Sequence, residues 1–214
     1  MELIAFIWDL LVHLDRHLAA LLQEYGIWIY ALLFLIVFCE TGLVVTPFLP
    51  GDSLLFVAGA LWAAAGMDPR ALAGTLIAAA LCGDNVNYWV GRYLGPKVFR
   101  WESSRLFNRH GLDYTQAFYQ RHGGKTVVIA RFVPIVRTFA PFVAGIGRMR
   151  YLRFLAFSIV GAVLWVVSLV TAGYLFGNVP LVKNNLTIVI FAIVLLSVSP
   201  IAIEYLRARA SKAG

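Results

Sequence analysis

Long apolar runs, each interrupted by a few polar or helix-breaking residues, dominate the chain. Residues 2–24 place Leu3, Ile4, Ile7, Leu10, Leu11, Leu14, Leu18, Leu21 and Leu22 at helical spacing, with Glu2, Asp9, His13, Arg16 and His17 between them. This predicts an amphipathic helix lying at an interface. Gly26 to Thr46 is a clear apolar span with Glu40 near its end, followed at once by PFLPGDSLLFVAGALWAAAG. Pro47 and Pro50 withhold backbone donors and Gly51 permits a sharp turn, so one helix cannot run through this junction. Ala71 to Gly95 forms the next span, with Asp84, Asn85 and Asn87 in its middle. Thr126 to Gly147 is long enough to cross a bilayer but carries Arg131, Pro134, Arg137 and Pro141. Spans from Phe154 to about Gly177 and from about Leu186 to Glu204 complete the series.

These runs predict an all-α polytopic membrane protein in one domain, 1–214. Broken backbone at membrane depth is tolerated only where protein or a water-filled cavity surrounds it. The segments near 47–66 and 126–147 are therefore expected to be re-entrant, proline-broken hairpins, shaped by Pro47, Pro50, Gly51, Pro134, Pro141 and Gly145. An internal repeat supports the pairing. FVAG occurs at Phe56 to Gly59 and at Phe142 to Gly145, and G-x-x-x-G follows about 30 residues later in each half, at Gly91/Gly95 and Gly173/Gly177. Two proline-interrupted segments at corresponding positions predict an inverted-repeat transporter, with halves at 26–95 and 125–177 and a site between them.

Composition agrees: of 214 residues, 61% are hydrophobic and 14% charged, and the mean hydropathy is +0.80. Near-continuous apolarity argues against a barrel, whose strands would alternate. Cys39 and Cys82 lie in apolar segments without metal or redox spacing and read as packing residues.

The net charge of +7 is concentrated. Seven basic residues between Arg92 and Lys125 alternate with aromatic residues; Arg148, Arg150 and Arg153 precede one span, and Arg207, Arg209 and Lys212 follow the last. Between spans, this reads as loops on anionic headgroups rather than a nucleic-acid surface. The positive-inside rule puts the basic loop at 96–124, residues 148–153 and the C-terminus in the cytoplasm, in a multi-pass topology.

Enzyme signatures are missing from the sequence: G-K-T at Gly124 to Thr126 lacks the upstream P-loop glycine, and there is no H-E-x-x-H or G-x-S-x-G. No enzymatic activity, metal or cofactor is expected.

Five ionisable residues lie at membrane depth: Glu40, Asp52, Asp84, Arg131 and Arg137. Unpaired, they would cost roughly 12–18 kcal/mol on insertion scales, so they are expected to converge. Pro134 separates the two arginines, allowing the guanidiniums to project from two half-helices toward one point. Their planar forks suit a phosphate or carboxylate. Glu40, Asp52 and Asp84 are the candidate counter-charges and proton carriers, with Glu40 and Asp52 the expected resting partners of the arginines. A buried ion network that only holds the hairpins together is the structural alternative.

The segments ETGLVVTPFLPGD (Glu40 to Asp52), GDNVNYWVGRYLG (Gly83 to Gly95) and ARFVPIVRTFAPFVAG (Ala130 to Gly145) resemble the DedA family. The resemblance covers nearly the whole chain. It implies a re-entrant-hairpin fold in the bacterial cytoplasmic membrane and transport of a phosphate-bearing lipid, such as a phospholipid or undecaprenyl phosphate, with the proton motive force implicated. The family's functional acids correspond to Glu40 and Asp52, and its functional arginines to Arg131 and Arg137. A flippase or scramblase is the leading expectation. A small-ion or proton antiporter and a non-transporting scaffold remain open, as do the lipid and the choice between monomer and homodimer.

Overall fold

A computed structural model describes residues 26–42, 51–98 and 123–177, together with Glu24, Gln116, Tyr119 and Val179. The expected N-terminal amphipathic helix, Pro47 and Pro50, most of the basic loop and the expected final span lie outside the described residues. All regular structure among the described residues is helical: α1 (Trp28–Gly42), α2 (Gly51–Ala64), α3 (Pro69–Val98), α4 (Thr126–Ala130), α5 (Pro134–Ile146) and α6 (Tyr151–Phe176). A single 3-10 turn, Gly123–Lys125, leads into α4.

The 26-residue α6 is long and apolar enough to cross a membrane, whereas α1 and α2 are apolar but shorter. Bulky side chains such as Leu152, Leu164 and Leu175 remain exposed on α6. In water such a face would be costly, whereas in hydrocarbon it is the ordinary outer surface.

The long helices α3 and α6 contact each other, and each carries a short helix from the other half of the chain: α2 packs on α6 and α5 packs on α3. Small residues make both crossings possible. A Cβ at Gly91 of α3 would collide with the Phe142 carbonyl, and one at Gly173 of α6 with the Phe56 carbonyl. Likewise Gly145 faces the Tyr88 carbonyl and Gly59 the Val170 carbonyl. The recurring FVAG words and the glycines that follow them are therefore partners across the two crossings, within one chain. Such close backbone approach maximises packing where helices cannot rely on the hydrophobic effect to associate.

A core of Leu33, Val37, Leu55, Trp62, Leu76 and Val166 fills the space between α1, α2, α3 and α6. The Trp62 indole donates to the Tyr30 hydroxyl at 3.0 Å, which satisfies its polar atom inside that core. Asn87 of α3 donates to the Thr41 carbonyl at 3.2 Å and the Thr138 carbonyl at 2.9 Å, tying the ends of α1 and α5 to the same helix. Cys39 is half-buried, but Cys82 is exposed and so does not have the expected packing role within the described chain.

The 126–147 segment breaks once. Val133 is extended (φ −123°, ψ 103°) because the following proline disfavours helical backbone, and Pro134 then starts α5 at a position needing no amide. Pro141, expected to shape a hairpin, instead lies inside α5, which continues to Ile146. It removes only the amide that would bond to the Arg137 carbonyl, and the turn beyond it is held on α3 by Phe142 and Gly145. Gly145 is therefore a helix-crossing residue, and Gly51 is the first residue of α2, without a positive φ.

Candidate functional site

Five helices or helix ends deliver the charged residues. Glu40 comes from the last turn of α1, Asp52 from the first turn of α2 and Asp84 from the middle of α3. Arg131 caps the C-terminus of α4 and Arg137 lies in the first turns of α5. The break at residues 131–133 lets two arginines six positions apart face the same interior.

Arg137 is the hub of one group. Its Nη1 donates to Asp52 Oδ1 at 2.7 Å and its Nη2 to Glu40 Oε1 at 2.5 Å. The Glu40 carboxylate rests on Gly51, where any Cβ would collide with it. Room for a buried carboxylate requires glycine at that position. Arg131 forms the second group: its Nη2 donates to Asp84 Oδ2, to which the Ser158 hydroxyl also donates at 2.5 Å. The stem of Arg131 passes α6 at Gly161, where a Cβ would lie 3.0 Å from its Cδ and Nε.

Trp165 of α6 joins the groups. Its indole N–H donates to Asp52 Oδ1 at 2.8 Å, while the guanidinium carbons of Arg131 and Arg137 lie 5.8 and 5.1 Å from its ring centroid. Cations at these distances from an indole face are attracted by its quadrupole, more strongly when desolvated.

All five predicted residues are thus brought together, with one correction to the pairing. Glu40 and Asp52 both serve Arg137, whereas Arg131 is held by Asp84 of α3. Trp165 and Ser158 were not identified from the sequence. They stand seven residues apart, two helical turns, on one face of α6, and that spacing was their only signal. Tyr119, outside the expected constellation, donates its hydroxyl to the Ala140 carbonyl at 2.9 Å.

Access differs between the groups. The Asp52 side chain is 20% exposed and that of Arg137 12%, but that of Arg131 only 3%. Two buried donors of Arg131, Nε and Nη1, have no hydrogen-bond partner among the described residues. A buried unsatisfied donor costs about 1–3 kcal/mol, more on a charged group, so this guanidinium retains capacity for another acceptor. The described residues contain no cluster of three or more His, Cys, Asp or Glu suited to a metal ion.

Residues 49–175, which include every charged residue of the site except Glu40, match the VTT domain. The chain is 53% identical to Protein DedA of Escherichia coli (strain K12) over 219 aligned positions, covering 99% of this chain and 100% of that protein. Inner membrane protein YqjA of the same strain is 37% identical over 155 positions, 71% of this chain and 69% of its own. An uncharacterized membrane protein of Mycobacterium tuberculosis (strain H37Rv) is 44% identical over 175 positions, covering 81% and 77% of the two chains. No solved structure matches. With a domain match over more than half its length and a full-length relative at this identity, the chain belongs to the DedA family of membrane proteins.

Proposed function

We propose that this protein is a lipid transporter, a flippase or scramblase that moves a phosphate-bearing lipid such as a phospholipid or undecaprenyl phosphate across the bacterial cytoplasmic membrane. The observation that carries the reading is the pair of buried Arg131 donors that have no hydrogen-bond partner among the described residues, beside a second, partly exposed arginine. Two convergent guanidinium forks offer phosphate oxygens the bidentate geometry they favour. Asp84, Glu40 and Asp52 hold the forks in place between transport events, and a phosphate displaces them in turn.

Acyl chains would stay in the bilayer while the headgroup passes between the α2–α6 and α3–α5 crossings. The equivalent glycine contacts at those crossings support an inverted-repeat reading, in which α2 and α5 belong to re-entrant hairpins. The concentration of basic residues supports a multi-pass topology with a cytoplasmic C-terminus. Three carboxyl groups stand against two guanidiniums, so one carboxyl can carry a proton without upsetting the charge balance. Proton coupling through Glu40, Asp52 or Asp84 is part of the proposal.

Headgroup-resolved translocation in reconstituted vesicles is the test. Arg131→Ala and Arg137→Ala abolish translocation while leaving a protein that purifies as a single species. Full transport by both variants excludes the mechanism, and ion flux without lipid movement in the parent protein assigns the site to an antiporter instead.

A further inference from the structure

The four arginines Arg92, Arg148, Arg150 and Arg153 are exposed at one rim of the fold, where α3 ends and α6 begins. With Trp89 and Tyr151 they line an open groove of about 770 Å³. Among the described residues no carboxylate pairs with any of them. Arg92 instead donates to the Tyr88 hydroxyl at 3.0 Å and lies over Trp89, 5.8 Å from its ring centroid.

Two further features favour negative charge at this rim. Arg150 is the N-cap of α6, with no side-chain cap bond and no acidic residue in the first turn, so the positive end of a 26-residue helix opens here. Arg148 alone among the described non-glycine residues has positive φ, 51°, in the tight turn between α5 and α6. Backbone strain of this kind persists where surrounding structure maintains it, often at binding sites.

The other side of these arginines is mainly apolar. Arg150 and Arg153 also border a second groove, of about 440 Å³, lined mainly by Val143, Ala144, Ile146 and Met149, with Gln116 and Tyr119 as its polar members. Arg150 lies eight residues before Ser158, about 12 Å along the helix, so this rim is separate from the buried arginines.

We propose that the rim is a binding site for an anionic phospholipid, distinct from the central site. The headgroup phosphate is held by Arg92, Arg148, Arg150 and Arg153, with an acyl chain along the apolar groove and Trp89 and Tyr151 at headgroup level. Clustered arginines beside an apolar channel distinguish a lipid from a soluble anion, and basic pockets between helix ends are known to select anionic headgroups. The assignment does not depend on transport.

The test is lipid retention by the full chain in mixed micelles of phosphatidylglycerol and phosphatidylcholine, counted by native mass spectrometry. The parent protein retains phosphatidylglycerol preferentially. Each arginine near the surface is worth about a fivefold preference, so R150Q/R153Q reduces it by more than about tenfold. R150K/R153K, which preserves the charge, keeps most of it. Equal retention of both lipids by the parent protein, or an unchanged preference in R150Q/R153Q of unaltered thermal stability, overturns the proposal. Displacement of phosphatidylglycerol by soluble glycerol phosphate overturns the assignment to a lipid.

Discussion

Trp165 donates its indole N–H at 2.8 Å to Asp52 Oδ1, the oxygen that also accepts from Arg137 at 2.7 Å. One carboxylate oxygen thereby joins α2, α5 and α6, and the indole contributing to it lies against both guanidiniums. A neutral aromatic residue is thus part of the charged site.

Trp165→Phe keeps an aromatic ring but removes this donor. Because hydrogen bonds to charged groups contribute about 1.5–3 kcal/mol, the thermal midpoint in detergent falls by a corresponding amount. Transport falls more steeply than stability, since Asp52 loses the contact that orients it. A variant with parental headgroup translocation would show that Trp165 only fills space.

Asp84 and Arg131 should behave as a coupled pair. Removing either partner leaves an uncompensated buried charge, at about 3–5 kcal/mol, whereas removing both leaves none. Thermal unfolding of Asp84→Ala, Arg131→Ala and the double variant therefore yields a double variant more stable than either single one. Additive losses would rule out their direct coupling.

The glycine crossings make a structural prediction. Gly91→Ala and Gly173→Ala each drive a methyl into a backbone carbonyl on the opposing helix, and both lower the yield of monodisperse protein. Gly74 of α3 has open space around the position of a Cβ. Gly74→Ala therefore stabilises the helix by up to about 1 kcal/mol, read as a raised thermal midpoint.

Gly161→Ala separates site geometry from fold. Its methyl presses on the Arg131 stem at 3.0 Å, and a side chain yields more readily than backbone. The variant keeps the Arg131–Asp84 pair, and with it near-parental thermal stability, but translocates headgroups more slowly, because the Arg131 stem is pushed aside by a few tenths of an ångström. Parental transport rates in Gly161→Ala would mean that the placement of Arg131 is not critical.

Much was legible before any coordinates. The apolar runs located α1, α3 and α6 to within a few residues, because long apolar segments that bury or shield their backbone polar groups must be helical. Five charges at depth announced that they must meet, since the cost of leaving them apart is prohibitive. Pro134 marked the break in the arginine segment because its effect is local, acting through the backbone of Val133. Pro141 misled for the complementary reason: one lost helical bond is tolerated when the next turn is packed as tightly as Phe142 and Gly145 are against α3.

By itself, then, the sequence determined which residues had to be helical, which charges had to be neutralised and which family they belong to. Only the tertiary structure decided who neutralises whom. Asp84 rather than Glu40 or Asp52 holds Arg131, Gly51 makes room for a carboxylate, and Trp165 joins both arginines. Periodicity and propensity are properties of neighbours along the chain. Charge pairing depends on which helices cross and at what height, and here that is decided by glycines in contact with backbone 51 to 117 residues away.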